Sequence, residues 1–162
     1  MTIRPAAPAD APLFTAIYNH YVTQTVITFE EEPVSADEMA KCMAEVQQAG
    51  LPWLVVETAG QLAGYAYATP WRTRSAYRFS VEITIYLTSS QTGAGLGSLL
   101  LSELRSGLRE RGIHAAIGGI ALPNEPSIRL HEKLGFRKVA EFPQVGFKFG
   151  RWIDVGYWQC IL

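Results

Sequence analysis

Two short stretches carry residues whose types and spacing suit chemistry. The first is "SVEITIYL", residues 80–87, in which Val81, Ile83, Ile85 and Leu87 alternate with Glu82, Thr84 and Tyr86. Such alternation makes a strand with one face in the core. Glu82 is the odd residue, because a carboxylate in mid-strand needs solvent or a cleft beside it. A carboxylate facing a cleft can take a proton from a substrate. The second stretch is "SSQTGAGLGSLLL", residues 89–101, with Gly93, Gly95 and Gly97 where that strand ends and a helix begins. Glycine there costs backbone entropy, so two readings compete. One is a tight turn with small residues for close helix packing. The other is a set of exposed N–H groups that holds a phosphate at a positive helix end.

The spacing narrows the second reading. A dinucleotide site of the Rossmann kind needs Gly-x-Gly-x-x-Gly and an acid about 20 residues further on. Here the pattern is Gly-x-Gly-x-Gly, and residue 117 is Ile within an apolar run. A P-loop is excluded because no Gly-Lys-Ser/Thr follows. A pyrophosphate still suits N–H groups directed outward from Gly93 to Ser98.

A basic cluster lies just before Glu82. Arg72, Arg74 and Arg78 are three of the five Lys or Arg residues before position 82. Following "ATPW", they stand at the mouth of any cleft that Glu82 faces. Arginine can hold a carboxylate through two parallel bonds, as an amino-acid substrate would require. A solvated charged loop is the alternative, and for Arg78 it is preferred. His20 and His114 have no motif context and read as structural.

The elements that position these groups follow from periodicity and punctuation. "MTIRPA" forms a short strand, and Asp10 is placed to cap a helix through "APLFTAIYNHYV". Ser35 and Glu38 have capping-box spacing, so "SADEMAKCMAEVQQAG" is a helix stopped at Gly50. "WLVVE" and "LAGYAYAT" make a hairpin around Ala59 and Gly60, ended by Pro70. After the glycine turn, Leu96, Leu100, Leu104 and Leu108 form one helical stripe, stopped at Gly112. "HAAIGGIAL" is a buried strand, and Ser127 to Leu134 a shorter helix capped by Ser127 and ended at Gly135. The remainder alternates as strands, with Gly146 and Gly150 near the turns. The fold class is α/β, or α+β, in one layer set: a mixed sheet with both hairpins and crossovers.

The chain has 162 residues, 48% of them hydrophobic, which fits one domain over residues 1–162. A net charge of −1 without a basic run disfavours nucleic acid as a partner. No segment reaches the roughly 18 apolar residues that span a bilayer, and "MTIRPAAPAD" lacks the apolar core of a signal peptide. Cys42 and Cys160 lack metal-ligand spacing. No metal is expected, and a reducing cytoplasm is the default.

"QTGAGLGSLLLSEL", followed by "NEPSIRLHEKLGF", resembles the GNAT superfamily of acetyl-CoA-dependent N-acetyltransferases. With "PQVGFKFGRWIDVGYWQ" included, the chain resembles the phosphinothricin and methionine sulfoximine acetyltransferase branch. One departure is Thr92, which stands where the superfamily has Gln or Arg, with Gln91 one place earlier. The resemblance implies a GNAT fold with helices on both faces and a central strand pair that splays from Glu82 to Leu87. Acetyl-CoA would lie there, its pantetheine arm on Ile85, Tyr86 and Leu87. Its pyrophosphate would lie on Gly93, Ala94, Gly95, Leu96, Gly97 and Ser98, with Asn124 and Ser127 also facing the cofactor. Arg72, Thr73, Arg74, Ile83 and Thr84 would lie on the substrate side, and aromatics of "YNHYVTQTVITFEEEP" would wall the pocket or pack.

An amine must be neutral to attack a thioester, and an ammonium with a pKa of about 10 needs a base at neutral pH. Glu82 is that candidate; the alternative is an ion pair with a nearby arginine. His131 stands where many relatives have Tyr, as a proton donor to the leaving sulfur, a cofactor contact or a space filler. The expected activity is acetylation of a small amino acid or analogue by a homodimer. A protein or peptide N-acetyltransferase and a non-catalytic acetyl-CoA-binding module are the alternatives.

Overall fold

The computed structural model describes residues 1–162. The chain runs β1 (Thr2–Pro5), α1 (Ala11–Gln24), α2 (Ala36–Gln48), β2 (Trp53–Thr58), β3 (Gln61–Pro70), β4 (Ser80–Leu87), α3 (Leu96–Glu110), β5 (Ala115–Ala121), α4 (Glu125–Lys133), β6 (Arg137–Lys148) and β7 (Arg151–Ile161). The strands form one seven-stranded sheet in the order β1-β2-β3-β4-β5-β7-β6. Every neighbouring pair is antiparallel except β4 and β5. That parallel pair requires a crossover, which α3 supplies.

Strand alternation divides the core between the two faces. Val56, Ala66, Ala68, Val81 and Ile83 pack with the α3 stripe Leu96, Leu100, Leu104 and Leu108. Their neighbours Trp53, Val55 and Tyr65 face the other way, onto Phe14 and Ile17 of α1 and Met39 and Val46 of α2. The helices thus cover both faces of the mixed sheet, as expected for the α/β class.

Local signals set several boundaries as expected. Ser35 and Glu38 form the reciprocal capping box of α2, at 3.1 and 2.7 Å. Ala59 and Gly60 turn the β2–β3 hairpin with φ of 51° and 74°, the twist a two-residue turn needs. Gly135 ends α4 with φ of 86°, and the Phe136 N–H reaches back to the His131 carbonyl.

Three expectations are corrected. Asp10 does not cap α1, because its carboxylate is taken by the Arg4 guanidinium at 2.8 and 2.9 Å and by the Ala7 N–H at 2.8 Å. The α4 cap is Asn124, whose Oδ1 accepts from the Ser127 N–H at 3.3 Å, and the helix therefore starts before Ser127. Gly146 lies inside β6 rather than at a turn, buried under the Phe29 ring, which a Cβ there would strike.

Candidate active site

The parallel pair is short. β4 and β5 are joined only at Ser80–Ala115, Val81–Ala116 and Glu82–Ile117. Beyond Glu82, β4 continues to Leu87 against β3, while β5 continues to Ala121 against β7. Each strand follows its outer partner, so the two diverge and a fork opens between them. The inner edge of β4 over Ile83–Leu87 is left without a strand partner, a backbone edge open to another extended chain. Within that segment the Leu87 carbonyl is already engaged, accepting from the Tyr21 hydroxyl at 2.6 Å.

Two cavities meet at the fork. One, of about 390 Å³, holds Glu82, Thr84, Gly119, His131 and Tyr157, with Ile27 to Phe29 as a wall. The other, of about 420 Å³, holds the glycine turn, Leu87, Arg129 and Lys133. Ile27, Ile85, Tyr86, Asn124 and Ser127 line both. Ile83 also faces the first cavity. Of the segment read as wall or packing, Ile27, Thr28 and Phe29 line the first cavity and Tyr21 the second, while the Tyr18 and Tyr21 rings also pack against Tyr86.

At the turn, Gly93 and Gly95 have φ of +83° and +80°, which explains glycine at both, and a side chain at either would enter open space. Gly95 is the N-cap of α3, and no side chain caps that helix. Its first N–H groups are left for solvent or an anion at the positive end of the dipole. Gly97 differs: a Cβ there would sit 3.2 Å from Leu130, so it serves helix packing. The packing reading thus holds at Gly97, whereas Gly93 and Gly95 leave the open space that the phosphate reading requires. Leu96 is a core residue, leaving only its backbone for a ligand. Ala94 is exposed, Ser98 is half-buried at the cavity, and the Thr92 hydroxyl donates to the Ser89 carbonyl at 3.1 Å.

The Glu82 side chain is half-buried, makes no hydrogen bond or salt bridge within the protein, and faces the first cavity. Burial raises its carboxyl above the ordinary value of 4.5, opposed by the charge of Arg72. A Cβ at Gly119 would lie 3.5 Å from Glu82 Oε1 and 3.2 Å from the Tyr157 ring. Arg72 is exposed and stacks on Trp71 at 4.6 Å, and Trp71 in turn meets the Tyr157 ring edge-on at 5.9 Å. Stacking occupies the guanidinium face and leaves its N–H edges free. None of Arg72, Thr73 and Arg74 lines either cavity, although the charge of Arg72 reaches Glu82 and Tyr157, and Thr73 and Arg74 are exposed like it. Arg78 stacks on Phe79 at 4.5 Å and donates to the Ser75 carbonyl, as expected of a loop residue.

His131 is 4% exposed, and Nδ1 lies 2.7 Å from the Ser127 carbonyl. Nδ1 therefore carries the proton and donates it to that carbonyl. Burial lowers the imidazole pKa, so the ring is neutral with an unprotonated Nε2. That nitrogen packs on Gly118, where a Cβ would be only 2.6 Å away. Asn124 spends its side-chain oxygen on the helix cap. His20 and His114 are exposed and outside both cavities.

Sequence reasoning missed the Gly118–Gly119 pair, Tyr157, and the cations Arg129 and Lys133. Paired glycines inside an apolar strand do carry a signal, since they mark close approach of another group. The others arrive at the site only through tertiary folding.

A match to the model for the acetyltransferase (GNAT) domain spans residues 3–156. The chain belongs to the GNAT acetyltransferases. It is 42% identical over 159 residues to the L-methionine sulfoximine/L-methionine sulfone acetyltransferase of Salmonella typhimurium, covering 98% of this chain and 93% of that one. It is 40% identical to the phosphinothricin N-acetyltransferase of Streptomyces viridochromogenes, covering 97% and 85%. With the L-amino acid N-acyltransferase MnaT of Escherichia coli it shares 40% identity, covering 98% and 92%. Among solved structures, a GNAT phosphinothricin acetyltransferase from Sinorhizobium meliloti in complex with acetyl-CoA superposes with a TM-score of 0.96 at 40% identity, covering 99% and 88%. A ribosomal-protein-alanine N-acetyltransferase from Brucella melitensis superposes with a TM-score of 0.97 at 40% identity, covering both chains fully.

Proposed function

We propose that this GNAT acetyltransferase, acting as one catalytic domain, transfers the acetyl group of acetyl-CoA to the α-amino group of a small amino acid. Analogues of the phosphinothricin and methionine sulfoximine kind belong to the same substrate class. The observation that carries this reading is Glu82: a half-buried carboxylate without a protein partner, where β4 leaves β5. Acetyl-CoA supplies the acyl group as a thioester. The uncapped N–H groups of Gly93 to Ser98 fit its pyrophosphate, with Arg129 and Lys133 adding positive charge at that cavity. The open edge of β4 over Ile83–Leu87 fits the amides of an extended pantetheine arm, as an added strand does.

Glu82 accepts the proton of the substrate ammonium and so frees the lone pair that attacks. Its raised pKa makes it the stronger base. Arg72 faces the substrate carboxylate, with Thr73 and Arg74 outside it, while Ile83 and Thr84 form the wall beneath. A thiol with a pKa of about 8.5 leaves without obligatory protonation. We therefore assign His131 to holding α4 against β5 rather than to proton donation, since its Nε2 is unprotonated and packed on Gly118.

A homodimer fits the apolar surface of the β6–β7 ribbon, where Val145, Phe149 and Trp152 are about 60% exposed. A cytoplasmic setting fits two free cysteines and an acetyl-CoA cosubstrate. No helix is long and apolar enough to cross a membrane.

Thiol release from acetyl-CoA, screened with free amino acids, glutamine analogues, simple amines and peptides, tests this reading. Turnover with amino acids above amines and peptides is the expected result. Preference for a peptide N-terminus would instead favour the protein-acetylating alternative that the Brucella neighbour suggests.

A further inference from the structure

Tyr157 is a polar side chain of the Glu82 cavity that the proposed chemistry leaves unused. It lies on β7 directly opposite Gly119 of β5, in the register Gly119–Tyr157. Because residue 119 has no side chain, the phenol ring and the Glu82 carboxylate both lie over its Cα. Trp71 at 5.9 Å and Phe142 at 5.6 Å meet the ring edge-on, so it is held in place. No protein group hydrogen-bonds to its hydroxyl, whose neighbouring charges are Glu82 and Arg72. Burial keeps the phenol protonated at neutral pH, hence a donor.

The Glu82 carboxylate, an acceptor, and the ring that carries the Tyr157 donor thus stand side by side over one glycine, and the charge of the Arg72 guanidinium acts on both. An α-amino acid presents the complementary pair, an ammonium and a carboxylate on one carbon. We propose that the Tyr157 hydroxyl donates a hydrogen bond to the substrate α-carboxylate while Glu82 takes the adjacent ammonium, which makes Tyr157 a specificity-determining residue for amino acids over simple amines. This rests on the functional reading above and deepens it. Arg72 attracts the carboxylate from the rim, and Tyr157 fixes its orientation inside.

The test is Tyr157→Phe, which keeps the ring between Trp71 and Phe142 and removes a hydroxyl that has no protein partner. The probes are L-methionine sulfone and its decarboxylated amine, compared by kcat/KM in thiol release. A hydrogen bond to a charged acceptor corresponds to roughly tenfold to a hundredfold discrimination. The preference for the amino acid over the amine should fall by that factor in the variant. A preference unchanged from wild type, whether both rates fall together or neither does, overturns the role of Tyr157 and leaves the functional reading standing. Wild-type protein that turns over amines but no amino acid in the screen overturns the functional reading itself.

Discussion

Glu82 and His131 stand on opposite sides of β5, the carboxylate over Gly119 and the imidazole against Gly118. Consecutive strand residues point to opposite faces, so two adjacent glycines make room for both groups on one strand. Both line the same cavity because the fork lets it pass between β4 and β5. An acyl donor entering from the glycine turn and an amine on the Glu82 side would meet in that gap.

The glycine turn makes a position-specific prediction. Gly95→Glu places a carboxylate in the open space where the pyrophosphate is proposed to sit. Like charges about 4 Å apart oppose each other by about 4 kcal/mol at an effective dielectric of about 20. Acetyl-CoA affinity, measured by titration calorimetry, should fall more than a hundredfold, while Gly95→Ala mainly costs backbone strain. Gly97→Glu should instead lower the melting temperature, since it strikes Leu130 in the packing of α3 on α4.

Arg72→Ala should lower kcat/KM for amino acids by roughly tenfold to a hundredfold, the range for a charge-assisted contact. Amines without a carboxylate should show no comparable loss. Arg78→Ala is the control, because Arg78 stacks on Phe79 away from the cleft. Equal losses for both substrate classes would reassign the loop to folding or cofactor access.

His131 should matter to the fold more than to the chemistry. His131→Ala empties a buried site and should cost about 2–4 kcal/mol of stability, with kcat reduced less than the hundredfold that marks general-acid loss. Its folded pKa lies below the ordinary 6.5, so the unfolded chain binds the extra proton first as pH falls. Wild-type stability should therefore decline below pH 6.5, and urea melts across pH should show a shallower decline in the variant.

Glu82 should weigh on stability in the opposite sense. Its folded pKa is raised above 4.5, so the native state holds the proton longer and stability falls as pH rises through that window. Glu82→Gln should melt higher than wild type at neutral pH, with the difference vanishing below pH 4.5. A variant that melts lower at neutral pH would indicate a stabilising ion pair instead.

What the sequence made legible was local. The α2 capping box, the Ala59–Gly60 hairpin and the Gly135 stop each depend on residues a few positions apart, and all three form as read. Asp10 could not be read this way, because Arg4 reaches it from β1 while also bonding Glu57 of β2. Glu82 was legible as a misfit in its strand. The fork followed only from the family resemblance, since the divergence is set by β3 and β7, which lie on either side of the pair. Tyr157 carried no signal, as an alternating aromatic in a C-terminal strand also fits plain packing. Only the β5–β7 register brings it to Glu82.

The pH dependence of turnover in Glu82→Gln tests the central claim most directly. With Glu82 as the base, the variant should bind acetyl-CoA normally and lose kcat by on the order of a hundredfold at neutral pH. That deficit should shrink as pH approaches the ammonium pKa of about 10, where the free amine no longer needs a base. A deficit that stays constant across the pH range, or no deficit at all, would contradict the assignment of Glu82 as the base at the fork.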